Sequence, residues 1–329
     1  MSKYDNKKGS GIVKELGGYI ELDTYHGSML YDDGVKLNCG RNALSYLIQI
    51  KKIEKIIMPK FMCNSCNKIL KDQNVSVKYY SINENFRPIN IERELDEWLY
   101  LVNFYGQLSN KDITSYGENI ICDNAQAYFA APISGIDTIY TCRKYFGVAD
   151  GAILYTDYPC DTTKLPQDES FDRMHFLLGR YERDPSEFYQ EYVKNNLFFS
   201  HEPIKRMSKL TENLLHGVDY NFIKWRRTEN FTYLHKHLSK VNKLSLSIPV
   251  GAFMYPLYID YGAKIRKNLQ RRKIYIPTLW PDVFQLCAEG EVEYNMAENI
   301  LPLPVDQRYD VSDMKYLTEV LQDVLSERT

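Results

Sequence analysis

Short apolar runs alternate with stretches of helical spacing between residues 35 and 155. After a short strand that begins at Val35, the pattern predicts strands at 54–59, 75–80, 98–107, 119–122 and 152–155. Parallel strands need long crossover connections, which are usually helices. The alternation therefore predicts a mostly parallel sheet that is covered by helices on both faces.

Polar residues follow these runs where the predicted strands end. Asn103 and Asp123 each come after a buried run, Lys144 precedes the last run, and Gly40 lies in the turn between the first strand and a helix. In open sheets of this kind, ligands bind outside the carboxyl ends of the strands. The sequence therefore predicts one binding site at this edge.

Asp123 and Lys144 have residue types that suit one kind of chemistry. A lysine can hold an aldehyde as a Schiff base, and an acid can keep a pyridine nitrogen protonated so that the ring withdraws electrons. By itself the pattern has little specificity, because a strand-end Asp commonly caps a turn and most lysines are solvated.

The segment DNAQA, followed by TCRKYFGVADGAIL, resembles the cofactor segment of the DegT/DnrJ/EryC1/StrS sugar aminotransferases. It departs from the family at Ala149-Asp150-Gly151, where Glu-Gly-Gly is usual. The resemblance extends from about Gly17 to Leu325. It implies the fold of type I pyridoxal-phosphate enzymes, with a large three-layer α/β domain at 1–215. A linker helix and a smaller α+β domain would occupy 216–329.

The resemblance also implies roles for individual residues. Lys144 would bind pyridoxal 5′-phosphate and move protons, Asp123 would hold the pyridinium, Gln126 would bond the phenolic oxygen, and Asn103 would contact the cofactor. CGRNAL aligns with the family's phosphate turn, Ser-Gly-Thr-x-Ala-Leu, but departs from it at Arg41 and Asn42, around the position where Thr is usual. The phosphate ligands implied there are Gly40, Arg41, Asn42 and the hydroxyl of Thr141.

Two further assignments depend on the loops. In the family, the stretch after Pro59 supplies the side chain that stacks on the pyridine ring, and both Cys63 and Phe61 are candidates. Cys63 also begins a C-x-x-C motif, but without a second such motif or a His pair it predicts no metal site. Arg308 could bind a substrate carboxylate, although a surface ion pair is an equally good interpretation.

The activity implied is amino transfer from glutamate to a nucleotide-linked keto sugar in surface polysaccharide or sugar biosynthesis. The site would be shared across a homodimer, to which the partner would contribute a basic or amide group. The candidates are Arg206, Arg226 and Arg227. One alternative is a dehydratase of the same fold, but such enzymes typically carry His in place of the lysine. Another is a catalytically silent binding protein.

Composition limits the remaining classes. A formal net charge of −2 gives no reason to expect nucleic acid or an anionic membrane as partner. Met1 to Gly11 lacks an apolar segment, so no secretory signal is predicted. The seven cysteines are an odd number, which favours reduced thiols in the cytoplasm.

The sequence predicts further helices and strands, most of them in the second half of the chain. Helices are predicted at 60–66 and then at 173–180, 186–195, 205–215, 219–241, 261–272 and 311–326, and strands at 253–259, 273–277 and 299–303. This mixture is what the smaller α+β domain requires.

Overall fold

A computed structural model describes residues 16–326. The sequence-based expectation for Met1 to Gly11 therefore lies outside the described residues. The strands are β1 (Val35–Leu37), β2 (Lys55–Pro59), β3 (Ser76–Ile82), β4 (Pro88–Ile89), β5 (Trp98–Val102), β6 (Ile120–Asp123), β7 (Asp137–Thr141), β8 (Ala152–Tyr155), β9 (Met254–Tyr258) and β10 (Ile300–Pro304).

The helices pack around these strands. They are α1 (Gly40–Lys51), α2 (Asn67–Asp72), α3 (Asn110–Thr114), α4 (His175–Glu182), α5 (Tyr189–Phe198), α6 (Lys209–His216), α7 (Tyr220–Leu238), α8 (Gly262–Arg271), α9 (Val283–Leu286), α10 (Val292–Asn299) and α11 (Val311–Ser326). Short 3₁₀ turns occupy Phe104–Gly106, Cys142–Lys144, Phe171–Arg173 and Pro185–Glu187. Between residues 16 and 326, no helix combines the length and the apolar character needed to cross a membrane.

The first eight strands form one sheet in the order β1-β8-β7-β6-β5-β2-β3-β4. Strands β3, β2, β5, β6 and β7 run parallel to their neighbours in this order, whereas β8 is antiparallel to both β7 and β1. Strand β4 is antiparallel to β3 at the other edge. The predicted mostly parallel sheet with flanking helices is therefore confirmed.

Two local predictions were wrong, and one strand was missed. The helix expected at 60–66 begins only at Asn67, and 273–277 is not a strand, since Lys273 leaves α8 with a φ of 60°. Strand β7 was not predicted at all. It begins with Asp137, a charged residue that interrupts the apolar pattern expected of a buried strand. In the structure Asp137 is buried because it forms an ion pair with Lys51 at 2.6 Å.

Two main apolar clusters fill the molecule. The larger contains the central sheet, α1 and Ile223 of α7. The second joins Phe231, Leu234 and Leu238 of α7 to β9, β10, α8 and α11. The long helix α7 thus contributes to both clusters, and the domain boundary expected at 215–216 stays a prediction.

A buried carboxylate fixes the loop that follows Lys144. Asp150 accepts hydrogen bonds from the backbone N–H and the hydroxyl of Ser208, both at 2.7 Å, and from the hydroxyl of Thr211. Ser208 also caps the N-terminus of α6. The next residue, Gly151, has a φ of 113° and donates to the carbonyl of Asn38 at 2.7 Å. The loop is thus tied to both α6 and the start of α1.

Replacing Asp150 by Ala should lower the free energy of unfolding by about 3 kcal/mol, because it leaves three donors without their charged acceptor. Urea unfolding of the protein without added ligand measures this loss. Asp157→Ala is the matched control, because the exposed Asp157 accepts a single bond from Gly135 N. Its expected loss is below about 1 kcal/mol. Equal losses in the two variants would contradict the structural role of Asp150.

Candidate active site

The predicted residues meet where β5, β6 and β7 end. Register places Val102 of β5 opposite Asp123 of β6, and Asp123 opposite Ile139 of β7. Thr141 closes β7, and Lys144 lies in the 3₁₀ turn that follows. Parallel alignment therefore brings the acid and the lysine to one edge of the sheet.

The N-terminus of α1 lies against the same edge. A Cβ atom added at Gly40 would lie only 2.7 Å from the Thr141 hydroxyl oxygen, so the glycine permits a close approach. No side chain caps this helix, and its first turn contains no acid. The free N–H groups and the positive end of the helix dipole favour an anion here.

Both oxygens of the Asp123 carboxylate are held in place. Oδ1 accepts from the backbone N–H of Ala125 at 2.8 Å, and Oδ2 accepts from the hydroxyl of Tyr100 at 2.9 Å. Burial, together with the negative charge of Asp123, keeps the pKa of the Tyr100 hydroxyl well above its ordinary value. The tyrosine therefore remains a donor, and the carboxylate has a fixed orientation.

Gln126 and Asn103 are buried at the ends of the adjoining strands. The Gln126 Oε1 atom accepts from the backbone N–H of Tyr105 at 2.9 Å, which leaves its amide nitrogen as a donor that bonds to none of the described residues. Both side-chain groups of Asn103 form hydrogen bonds within the chain. It donates to Asn124 Oδ1 at 3.0 Å and accepts from Leu108 N at 2.9 Å.

Lys144 is exposed, and no carboxylate among residues 16–326 lies within ion-pair distance of it. Its Nζ atom is 5.7 Å from the centre of the Phe253 ring. The carbonyl of the next residue, Tyr145, accepts from Gln307 at 2.7 Å and from Arg227 at 3.3 Å. Buried Arg227 also donates to Ala252 O at 3.0 Å, so the lysine turn is fixed against the second half of the chain.

The side chains of the predicted phosphate turn point in different directions. Asn42 is buried and donates to Asn38 Oδ1 at 2.9 Å and Pro203 O at 2.8 Å. The side-chain nitrogen of Asn42 is therefore occupied within the chain, and the donor that Asn42 can offer to a ligand at the start of α1 is its backbone N–H. Arg41 is half-buried, and its guanidinium donates to the hydroxyl of Ser200 at 3.2 Å.

The two candidates for ring stacking differ in exposure. Phe61 is 1% exposed and meets Trp280 in a T-shaped contact, with ring centres 4.6 Å apart, so its ring is enclosed by the chain. Cys63 is half-buried, and its Sγ atom lies 2.9 Å from the Ser65 hydroxyl oxygen. Burial raises the pKa of Cys66, and its neighbours Cys63 and Asp123 raise it further, which locates this turn near the acid.

Arg308 already binds a carboxylate of its own chain. Its Nε and Nη2 atoms donate to the two oxygens of Asp306 at 2.6 and 2.8 Å. The bidentate geometry is the one that a substrate carboxylate would require.

Two residues of this region had not been assigned a role from the sequence. Tyr100 lies within an apolar strand, and only the pairing of β5 with β6 shows that its hydroxyl reaches Asp123. Arg143 directly precedes Lys144, and its guanidinium stacks on Phe199. The sequence signal that could have identified Arg143 is its position next to Lys144, which places two positively charged residues side by side in this turn.

No family model and no curated protein matches the sequence. Solved structures do resemble the fold. A sugar aminotransferase of Streptococcus pneumoniae in its PLP form is 13% identical, with a TM-score of 0.61 over 90% of this chain and 88% of that chain. The aminotransferase TlmJ of Streptoalloteichus hindustanus is 14% identical, with a TM-score of 0.63 over 89% and 86%.

A DegT DnrJ EryC1 StrS aminotransferase of Brucella abortus is also similar. It is 14% identical, with a TM-score of 0.58 over 88% of this chain and 85% of that chain. The fold that these three structures share with the present chain is the fold that the sequence resemblance implied.

Proposed function

We propose that this protein is a pyridoxal-phosphate-dependent aminotransferase that transfers an amino group from an amino acid to a keto sugar. The observation that carries the proposal is the convergence of Asp123, Lys144 and the α1 N-terminus at one sheet edge. The supporting comparison is a fold shared with sugar aminotransferases, of which the Streptococcus pneumoniae protein has been solved in PLP and PMP forms.

The donor set fits this cofactor. A bound pyridoxal phosphate would supply an aldehyde that reacts with amines and a protonated ring that withdraws electrons. The oriented carboxylate of Asp123 can hold the proton on the ring nitrogen, and the Gln126 amide nitrogen can donate to the phenolic oxygen. We retain Asn103 as a residue that holds these two segments beside the ring.

Lys144 performs two tasks in this proposal. Its amine would hold the aldehyde carbon of the cofactor and, when released from it, would carry a proton as general acid and base. Because no carboxylate among the described residues pairs with Lys144, its Nζ atom is available for both tasks.

The phosphate would lie at the start of α1. The N–H groups of Gly40, Arg41 and Asn42 and the hydroxyl of Thr141 are its proposed ligands. Cys63 is our candidate for contact with one face of the ring, because Phe61 is covered by Trp280.

The finer substrate assignment rests on the family resemblance. We infer glutamate as the donor and a keto sugar, linked to a nucleotide, as the acceptor. Arg308 could bind the donor carboxylate if it exchanged Asp306 for the ligand. The seven cysteines are all free thiols, which supports a cytoplasmic location.

We further propose a homodimer that completes each site across the interface. Arg227 is a poor candidate for the group that reaches the partner's site, because its guanidinium forms hydrogen bonds within its own chain. Arg226 is a better candidate, since it lies on the exposed Trp225 ring at 4.6 Å, although it also pairs with Glu229 at 2.7 Å. Arg206 remains a second candidate.

Covalent trapping tests the lysine. The protein with pyridoxal phosphate should absorb visible light, and borohydride should fix the cofactor on Lys144, as located by peptide mass mapping. Lys144→Ala should abolish both signals, whereas Lys164→Ala, which replaces an exposed lysine, should retain them. Labelling at any other lysine would refute the assignment.

Asp123→Asn tests the acid. The variant should still bind the cofactor, but its half-reaction with glutamate should slow by about 100-fold or more, because the ring is no longer held protonated. Stopped-flow absorbance after mixing with glutamate measures this rate. A rate near that of the wild type would show that Asp123 only orders the turn after β6.

The shared site predicts that dimerisation and cofactor occupancy change together. An obligate interface of this kind buries more than about 2,000 Å² in total. Sedimentation velocity over a dilution series, with cofactor absorbance recorded in the same cell, should show both falling over the same concentration range. A monomer that retains full cofactor affinity would disprove the shared site.

A further inference from the structure

Arg143 lies between the two best-defined parts of the site. It follows Thr141 by two residues and directly precedes Lys144. Its guanidinium carbon is 4.6 Å from the centre of the Phe199 ring, which is 2% exposed. The guanidinium also donates to Asn196 Oδ1. Its position is therefore set by the end of α5.

The positive charge of Arg143 has no acid to balance it. None of the described carboxylates lies within ion-pair distance, and burial lowers the pKa of the guanidinium. The buried carboxylate of Asp150 bonds to Ser208 and Thr211. Arg143 itself is half-buried. Charges that are partly removed from water are usually paired in proteins, because desolvation of an isolated ion is costly.

Arg173 shows what a balanced arginine looks like in the same place. It stacks on Phe198 and Phe199 at 4.2 and 5.2 Å, so it shares the Phe199 ring with Arg143. Unlike Arg143, it bonds to the carboxylate of Asp168 at 2.9 Å. The two arginines therefore differ chiefly in whether the protein supplies a counter-charge.

Other positive groups surround Arg143. Arg41 also has no carboxylate partner within the described chain, and after burial its charge contributes to lowering the pKa of Arg143. The N-terminus of α1 adds the positive end of its dipole, without an acid in its first turn. Such a cluster is unfavourable by itself and favourable around an anion.

We propose that Arg143, together with Arg41, supplies the positive charge for a phosphate group bound at the N-terminus of α1. A guanidinium can bond two phosphate oxygens at once, which backbone N–H groups and one hydroxyl cannot equal in charge. The assignment rests on the proposed function, in which this phosphate belongs to the cofactor bound at Lys144. The diphosphate of a nucleotide-linked sugar has the same chemistry and is the other source to be tested.

The test compares two ligands that differ only in the phosphate and form no bond with Lys144: pyridoxamine 5′-phosphate and pyridoxamine. Calorimetry gives the dissociation constant of each for the wild type and for Arg143→Gln. The substitution should weaken the phosphorylated ligand by about 10- to 100-fold. Pyridoxamine should change by less than about threefold, and Arg143→Lys should be intermediate for the phosphorylated ligand.

Arg173→Gln is the matched control. It removes a guanidinium from the same ring, but this guanidinium belongs to an ion pair, so the selectivity for the phosphorylated ligand should stay at the wild-type value. Urea unfolding of all variants verifies that each is folded at the temperature of the binding experiment.

Each contrary result has a distinct meaning. Equal weakening of both ligands by Arg143→Gln would overturn the proposal, because the arginine would then act on the structure of the site as a whole. Unchanged binding of pyridoxamine 5′-phosphate, with weaker binding of uridine diphosphate, would overturn it in favour of a substrate phosphate. Wild-type protein that binds uridine diphosphate but neither vitamin form would instead refute the proposed function.

Discussion

The parallel register of β5, β6 and β7 is the constraint on which the site depends. Hydrogen bonding between these strands places Val102, Asp123 and Ile139 in one row. Each strand then ends at the same edge, so the residues that follow must share one space. Segments that are far apart in sequence are brought together here without any loop having to span the sheet.

Buried polar groups then fix the loops that leave this edge. Asp150 holds the loop after Lys144 to α6, and Arg227 holds the carbonyl of Tyr145 to the second half of the chain. Asn103 joins the ends of β5 and β6. These groups satisfy backbone donors and acceptors that would otherwise be buried without partners. The side chains of Asp123 and Lys144 are thus positioned by neighbours that need not touch a ligand.

Charge is distributed unevenly around the site. Asp123 lies at the end of a central strand, whereas Arg41 and Arg143 lie beside the α1 N-terminus and form no ion pair with a carboxylate of the described chain. A ligand that carries a cationic ring at one end and a phosphate at the other matches this distribution. Arg173 differs from Arg143 in this respect, because Asp168 lies beside it.

The sequence by itself determined the mostly parallel sheet and the positions of Asp123 and Lys144, because apolar periodicity and strand-end polarity are local signals. It missed β7, whose Asp137 is neutralised by Lys51, and it could not choose between Phe61 and Cys63. Only the tertiary structure packed Phe61 against Trp280, brought Tyr100 to Asp123 and left Arg143 without an ion-pair partner among residues 16–326. These properties depend on contacts between distant segments, which no local pattern records.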